Sequence, residues 1–237
     1  MISGLRCATE PPNEPSKKSP MSQSPIAILD YGIGNIRSIS NAVESLGETP
    51  LFTRDPKEIL GAKGLIFPGV GAFSKGMANF HEFDLVPVIH DYAATGKALL
   101  GICLGMQMLF EWSEEFGVTQ GLGLIPGKVI RMPLDEAENL KLPHIGWNSL
   151  LEPEPGRWDH TILKGMSSFE ETYFVHSFVG DPSNHSDLLA VTRYGKSSFC
   201  SAVHCANIYG VQFHPEKSRN TGLSILRNFI QLTSKNH

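Results

Sequence analysis

Hydrophobic and polar residues follow two different periods along the first half of the chain. Continuous apolar runs, of which residues 26–29 and 98–102 are the clearest, are typical of buried strands. Stretches whose apolar residues recur every three or four positions, such as residues 36–47, lie between these runs and are typical of helices. Strands that alternate with helices in this way predict an α/β fold with a mostly parallel, flavodoxin-like central sheet flanked by helices.

Two helices in this half have more specific signals. Asp55 is predicted to cap a short helix that has Pro56 at its first position. A second helix is predicted over residues 104–116, directly after the strand at 98–102. Its buried face would consist of Met108, Leu109, Trp112 and Phe116.

The pattern changes from about residue 122 onward. Short apolar runs follow one another with turn residues between them, which predicts additional antiparallel strands that extend the first sheet or form a small second one. A closing helix is predicted over about residues 219–233. Leu223, Leu226 and Ile230 would share one face of this helix.

Composition fits one globular domain with an extension. The chain has 237 residues, of which 41% are hydrophobic and 19% are charged, and these are ordinary values for a folded protein. Residues 1–24 are rich in Pro and Ser and contain almost nothing that could form a core, so we expect a disordered N-terminal extension. The folded domain is predicted over residues 25–237.

Charge and cysteine usage exclude several classes of protein. The net charge is −4 with scattered Lys and Arg, which argues against a nucleic-acid partner. No apolar run approaches the roughly 18 residues of a membrane span. The four cysteines form no CxxC pair and no secretory signal precedes them, so we expect a cytoplasmic protein in a reducing compartment.

Cys103 is the strongest candidate for a catalytic residue. It lies between Gly101 and Gly105, at the predicted junction of a strand and a helix. Such an elbow strains the backbone, exposes the side chain at the carboxyl end of a sheet, and places the sulfur at a helix N-terminus that favours thiolate. The alternative is a buried cysteine that packs as a small hydrophobe. Neither glycine has an evident role in core packing, which favours the nucleophile.

A nucleophilic cysteine needs a base and a group that orients the base. His214 ends an apolar run, and Glu216 lies two residues farther on, with Pro215 between them. Residues i and i+2 of an extended chain point to the same side, so the carboxylate could hold the imidazole. An exposed His and Glu at the end of a strand remain the alternative.

The cysteines near the C-terminus do not predict a metal site. Cys200, His204 and Cys205 are close in sequence. On a strand Cys200 and His204 would face one side and Cys205 the other, so the three side chains could not converge. We expect no metal and no cofactor.

Six motifs in the chain resemble those of the class I (triad) glutamine amidotransferases. The sequence GICLGMQMLF (101–110) and the sequence FHPEKS (213–218) are typical of this broad family. The other motifs resemble the branch formed by the glutaminase subunits of imidazole glycerol phosphate synthase, and the resemblance covers about residues 25–235. These four are LDYGIGN (29–35), PGVGAF (68–73), LPHIGWN (142–148) and YFVHSF (173–178).

The resemblance implies a Cys–His–Glu triad that hydrolyses L-glutamine to glutamate and ammonia. Cys103 would attack the side-chain amide, while His214 transfers protons and Glu216 orients it. The substrate-binding positions implied by the family are Gly71, Gln107 and Glu115. The backbone N–H groups of Val70 and Leu104 would form the oxyanion hole, and the glycines around Val70 would ease a rotation of its peptide.

The resemblance also implies a protein partner. Free ammonia is protonated in water, so a desolvated passage to the acceptor is required. In this family the acceptor lies in a cyclase subunit with a (β/α)8 barrel, which forms a heterodimer with the glutaminase. Residues in motifs that resemble the partner-facing surface are Trp147, Asn148, Tyr173 and Lys217, although Trp147 could belong to the core instead.

Three other functions are compatible with parts of the sequence. A paralogue with the same chemistry could supply ammonia to an enzyme that aminates a sugar. A stand-alone cysteine hydrolase would work without a partner, and a non-catalytic binding module would need no triad. The presence of Cys103, His214 and Glu216 argues against the binding module.

Overall fold

Seven strands form the central sheet of the computed structural model, which describes residues 24–135 and 140–234. The extension predicted over residues 1–24 lies outside the described residues, apart from residue 24. With strands numbered in chain order, the sheet contains β1 (Ile26–Leu29), β2 (Pro50–Thr53), β3 (Gly64–Gly69), β4 (Ala98–Cys103), β11 (Leu188–Tyr194), β12 (Ser197–Cys205) and β13 (Ile208–Val211).

The strand order is β11-β12-β13-β4-β3-β1-β2, and the five strands from β13 to β2 are parallel. The prediction of a mostly parallel sheet with added antiparallel strands is therefore confirmed. β11 and β12 are antiparallel additions, whereas β13 pairs parallel with β4. This pairing brings the carboxyl ends of β4 and β13 to the same edge of the sheet.

Helices cover both faces of the central sheet. Alternate residues of β1 show the two faces, since Ile26 and Ile28 belong to one apolar core and Ala27 and Leu29 to the other. The helices are α1 (Ile36–Ser45), α2 (Pro56–Gly61), α3 (Phe73–Glu82), α4 (Leu85–Ala94), α5 (Leu104–Met108) and α6 (Arg219–Thr233). Within the described residues, none of them combines the length and hydrophobicity that a membrane crossing requires.

The predicted cap of α2 is confirmed. The Asp55 carboxylate accepts hydrogen bonds from the backbone N–H groups of Lys57 and Glu58, at 2.8 and 3.1 Å, and Pro56 occupies the first turn. These contacts satisfy two of the N–H groups that have no partner within the helix.

The helix predicted over residues 104–116 is wrong beyond its first five residues. α5 ends at Met108, and the chain continues into β5, which pairs with two other strands; Phe116 lies in a turn and is 87% exposed. Strand pairing overrides the helical spacing of the apolar residues here. The second sheet, in the order β10-β7-β5-β6, consists of β5 (Phe110–Ser113), β6 (Thr119–Gln120), β7 (Ile125–Arg131) and β10 (Phe178–Pro182).

A separate antiparallel ribbon completes the fold. It contains β8 (His144–Ser149) and β9 (Glu171–His176), which pair from His144 opposite His176 to Ser149 opposite Glu171. β9 lies against the turn that follows β13, because the backbone N–H of His214 donates to the Tyr173 carbonyl at 2.9 Å. The ribbon therefore reaches the carboxyl edge of the central sheet.

The closing helix α6 buries the predicted face. Leu226 and Ile230 are buried and Leu223 is partly buried against the same core. Gly222 marks a close approach, because a Cβ atom at this position would overlap the Pro215 carbonyl oxygen. Only glycine lets α6 pack so near the turn that contains His214.

Replacing Gly222 with alanine should therefore destabilise the protein. We expect Gly222→Ala to lower the free energy of unfolding by about 2–3 kcal/mol, because the methyl group must displace backbone. Gly61→Ala is the matched control, since a Cβ there meets no atom within 4 Å and alanine is the better helix former. Urea denaturation of both variants measures the difference, and equal stabilities would contradict the packing described here.

Candidate active site

Cys103 occupies the sharp junction between β4 and α5. It is the last residue of β4 and the N-terminal cap of α5, with φ 55° and ψ −110°. This backbone conformation is unfavourable for a residue with a side chain, and such strain is often found at functional sites. The predicted strand-to-helix elbow is present, and the side chain of Cys103 is 6% exposed.

The two flanking glycines do have a packing role, which the sequence analysis missed. A Cβ atom on Gly105 would overlap the Phe67 carbonyl oxygen of β3. A Cβ atom on Gly101 would lie 2.8 Å from the carbonyl carbon of Gly105. Both positions must remain glycine because α5 starts directly on the backbone of the neighbouring strands.

His214 and Glu216 form a buried pair. Nδ1 of His214 and Oε1 of Glu216 are 2.9 Å apart, and each side chain is 2% exposed. The carboxylate can only accept, so Nδ1 carries the hydrogen and Nε2 is the basic atom of the neutral ring. Nε2 has no hydrogen-bond partner among the described residues. Glu216 reaches the ring from a 3-10 turn (Pro215–Lys217) rather than from the extended backbone that we predicted.

The surroundings of His214 stabilise its charged form. Burial by itself lowers the pKa of His214, but the neighbouring Cys103 thiol and the Glu216 carboxylate outweigh burial and raise this pKa to about 9. The ring is therefore protonated at neutral pH and can act as a proton donor.

One hydroxyl group fixes the His214 segment to the ribbon. Ser218 Oγ donates to the His214 carbonyl at 2.6 Å and accepts from the Tyr173 backbone N–H at 3.0 Å. Ser218 is fully buried. The position of His214 therefore depends on β9 as well as on β13.

A pocket of about 240 Å³ opens beside the Cys103 side chain. His214 does not line this pocket and lies buried. Val175, His176 and Phe178 of the ribbon region also contribute to its wall. Six residues of the predicted site line the pocket together: Val70, Gly71, Cys103, Leu104, Gln107 and Glu115.

The two glycines on either side of Val70 have different surroundings. Gly71 has φ +113°, and a Cβ there would meet no atom within 4 Å. Gly69 is different, since a Cβ would overlap the Tyr31 hydroxyl oxygen. Of the two glycines around Val70, Gly69 is thus required for space and Gly71 for its left-handed backbone conformation.

Glu115 is not a solvent-facing acid. Its Oε2 accepts a 2.6 Å hydrogen bond from the backbone N–H of Phe73, at the start of α3. The carboxylate lines the pocket and holds the segment after β5 against α3. It is available as a negative charge for a cationic group of a ligand.

Gln212 is a site residue that the sequence analysis missed. Its Nε2 lies 3.6 Å from the Cys103 sulfur, and its Oε1 accepts from Gln107 Nε2 at 3.0 Å. A polar residue inside the apolar run that precedes His214 was the available signal. Gln212 is fully buried.

Two histidines of the ribbon were also missed. Burial, and to a lesser extent the neighbouring His144, lowers the pKa of His176 to about 3, so His176 is neutral. Its Nδ1 donates to the Phe178 carbonyl at 3.1 Å, and its Nε2 lies 3.1 Å from Nδ1 of His144. These contacts stiffen one wall of the pocket.

Three of the four predicted partner-facing residues form a surface cluster. Trp147 and Tyr173 have ring centroids 5.9 Å apart, and Lys217 Nζ lies 5.6 Å from the Tyr173 ring. Arg219 stacks on Trp147 at 4.7 Å, and Trp147 is only partly buried. Asn148 differs, because its amide donates to the Arg193 carbonyl at 2.8 Å and its Oδ1 lies 3.0 Å from His144.

Comparisons with known proteins agree with this geometry. The family model described as glutamine amidotransferase class-I matches residues 27–232. The chain is 43% identical to imidazole glycerol phosphate synthase subunit HisH 1 of Legionella pneumophila (strain Lens), over 88% of this chain and all of that protein. It is 45% identical to subunit HisH of Moorella thermoacetica, over 88% and 95% of the two chains.

A solved structure supports the fold. The crystal structure of a glutamine amidotransferase superimposes with a TM-score of 0.67 at 20% identity, covering 88% of this chain and 99% of that one.

Replacing Glu216 with glutamine should lower the pKa of His214. The carboxylate is one of the groups that raise this pKa to about 9. A neutral amide would not stabilise the imidazolium in this way, so the lowering of the pKa by burial would be less well compensated. Titration of the imidazole resonances by NMR measures the shift, with Glu44→Gln on the exposed side of α1 as the control. An unchanged value in Glu216→Gln would contradict the pairing.

Proposed function

Because this chain belongs to the class-I glutamine amidotransferase family, we propose that it is the glutaminase subunit of an imidazole glycerol phosphate synthase. We assign the activity to a domain that spans residues 25–237. The observation that carries the proposal is the buried His214–Glu216 pair next to Cys103, at the edge of a pocket that Gln107 and Glu115 also line.

The reaction begins with the Cys103 thiolate and the side-chain amide of L-glutamine. The sulfur attacks the amide carbon, and the negative charge that develops on oxygen is stabilised by the backbone N–H groups of Val70 and Leu104. The N–H of Leu104 is suitable because it lies in the first turn of α5, where N–H groups have no partner within the helix. His214 gives its proton to the departing nitrogen, and ammonia leaves.

A glutamyl thioester on Cys103 remains after ammonia has left. Water attacks the thioester carbon while His214 takes a proton from it, and the products are glutamate and the regenerated thiolate–imidazolium pair. Glu216 keeps Nε2 of His214 directed at the sulfur in both steps. Each proton that His214 donates in the first half is recovered in the second.

The pocket fits the two ends of a glutamine molecule. Glu115 supplies a negative charge for the α-amino group, and Gly71 provides room for backbone contacts with the carboxylate end. The amide nitrogen of Gln107 donates both of its hydrogen bonds within the protein, to Phe178 and Gln212, so its Oε1 can accept a hydrogen bond from the substrate. A volume of about 240 Å³ is sufficient for one amino acid.

The second substrate binds to a partner protein in this proposal. Ammonia passes to a cyclase subunit with a (β/α)8 barrel, which joins it to an open-chain ribulosyl nucleotide. The products are imidazole glycerol phosphate and an aminoimidazole carboxamide nucleotide. Trp147 and Tyr173 supply aromatic side chains for the interface, which are enriched at such surfaces, and Lys217 adds a positive charge beside them.

Cys103→Ala tests the chemistry directly. We expect the glutamine-dependent reaction of the assembled pair to fall at least a thousandfold, since no other group replaces the nucleophile. Ammonium salt at alkaline pH should still support product formation, because the acceptor site lies in the partner. A mutant that keeps full glutamine-dependent activity would contradict the role of Cys103. We expect only weak glutaminase activity without the barrel subunit, and robust turnover by the isolated chain would favour a stand-alone hydrolase.

Trp147→Ala should weaken the complex with the cyclase subunit. Truncation of a central interface aromatic typically lowers affinity by tenfold or more. Phe52→Ala is the control, because Phe52 is 46% exposed on β2, at the opposite edge of the central sheet from β11. Calorimetric titration with the cyclase subunit compares the two variants, and equal affinities would exclude Trp147 from the interface.

A further inference from the structure

We propose that Gln212 is a positioning residue that holds the sulfur of Cys103 as a hydrogen-bonded thiolate. This inference rests on the proposed role of Cys103 as the nucleophile. The distance from Gln212 Nε2 to Cys103 Sγ is 3.6 Å, which is suitable for an N–H···S hydrogen bond, and both residues are buried.

The Phe178 carbonyl determines how the neighbouring amide is oriented. A carbonyl oxygen only accepts, and Gln107 approaches it at 3.0 Å, so the atom that faces Phe178 must be the nitrogen of Gln107. The same nitrogen carries a second hydrogen, which is donated to Gln212 at 3.0 Å. The atom of Gln212 that receives it must be oxygen.

The orientation of Gln212 follows from these two bonds. With Oε1 turned toward Gln107, the nitrogen Nε2 is directed at the Cys103 sulfur. A flipped amide would place the NH₂ group of Gln212 against the NH₂ group of Gln107 and an oxygen against the sulfur. Burial makes both mismatches costly, so the described orientation is strongly preferred.

The other neighbours of the sulfur do not supply an equivalent donor. The Val175 carbonyl lies 3.9 Å away and can only accept a hydrogen bond. His176 on β9 is neutral, and the Tyr31 hydroxyl, which keeps its proton because burial raises the pKa of Tyr31, makes no hydrogen bond to any described residue. The imidazolium of His214, which is paired with Glu216, is the remaining charged group next to the sulfur.

A neutral donor suits the chemistry better than a second cation would. The amide of Gln212 stabilises negative charge on sulfur, yet it cannot exchange a proton at any physiological pH. The proton therefore stays on His214, which must deliver it to the leaving ammonia. Gln212 also joins the nucleophile to Gln107, which lines the pocket on the substrate side.

The test compares Gln212→Met with wild-type protein. Methionine has a similar volume but no N–H group, so the thiolate should lose one hydrogen bond to a charged acceptor. We expect the pH at which alkylation of Cys103 by iodoacetamide reaches half its maximal rate to rise by about one unit. The kcat for glutamine hydrolysis by the protein assembled with the cyclase subunit should fall about tenfold, while KM changes little. Mass spectrometry distinguishes the Cys103 adduct from adducts at other cysteines.

Two further measurements complete the design. Gln231→Met, on the exposed surface of α6, is the matched control and should alkylate like the wild type. In unaltered protein labelled with ¹⁵N, the side-chain amide signals of Gln212 should move when Cys103 is alkylated, whereas those of Gln231 should not. This second readout applies even if Gln212→Met does not fold.

The outcomes separate this inference from the proposed function. Two results would overturn the role of Gln212. One is a folded Gln212→Met protein whose alkylation midpoint is unchanged, and the other is that the Gln212 amide signals do not move when Cys103 is alkylated. Alkylation does not require glutamine, so the role of Gln212 can be supported even if the wild-type protein fails to hydrolyse glutamine in the presence of the cyclase subunit. Such a failure would overturn the proposed function alone.

Discussion

The parallel pairing of β4 with β13 is the constraint on which the rest of the site depends. The register places Ile102 opposite Val211, so the chain leaves both strands at the same edge of the sheet. Cys103 is the last residue of one strand, and Gln212 and His214 follow the other. Residues more than one hundred positions apart in sequence thus share one small volume, in the crevice where open α/β sheets commonly bind ligands.

Close backbone packing maintains this arrangement against local strain. Cys103 has an unfavourable backbone conformation, which persists only when the surrounding structure enforces it. Gly105 allows α5 to begin on the backbone of β3, and Gly222 allows α6 to begin on the turn after His214. Apolar cores on both faces of the sheet supply the stability that offsets the strain.

The sequence predicted the parts of this protein that local rules control. Buried strands, the Asp55 cap and the elbow at Cys103 follow from short-range patterns. The structure also pairs His214 with Glu216. The pair forms through a 3-10 turn, which the two-residue spacing in the sequence does not predict. The length of α5 could not be predicted, because its end depends on strands that pair with β5 from distant parts of the chain. Gln212 was missed for the same reason, since its function depends on contacts with Gln107 and Cys103 across the fold.

The central claim is that, among the three cysteines that the structure describes, Cys103 is the thiol activated for attack on a glutamine side chain. A glutamine analogue that carries an electrophile in place of the amide tests it, with the modified residue located by mass spectrometry. Our account predicts stoichiometric labelling of Cys103, protection by excess L-glutamine, and no labelling of the buried Cys200 or of the partly exposed Cys205. Labelling of Cys103 that excess L-glutamine does not reduce, or labelling of the other cysteines instead, would contradict the account.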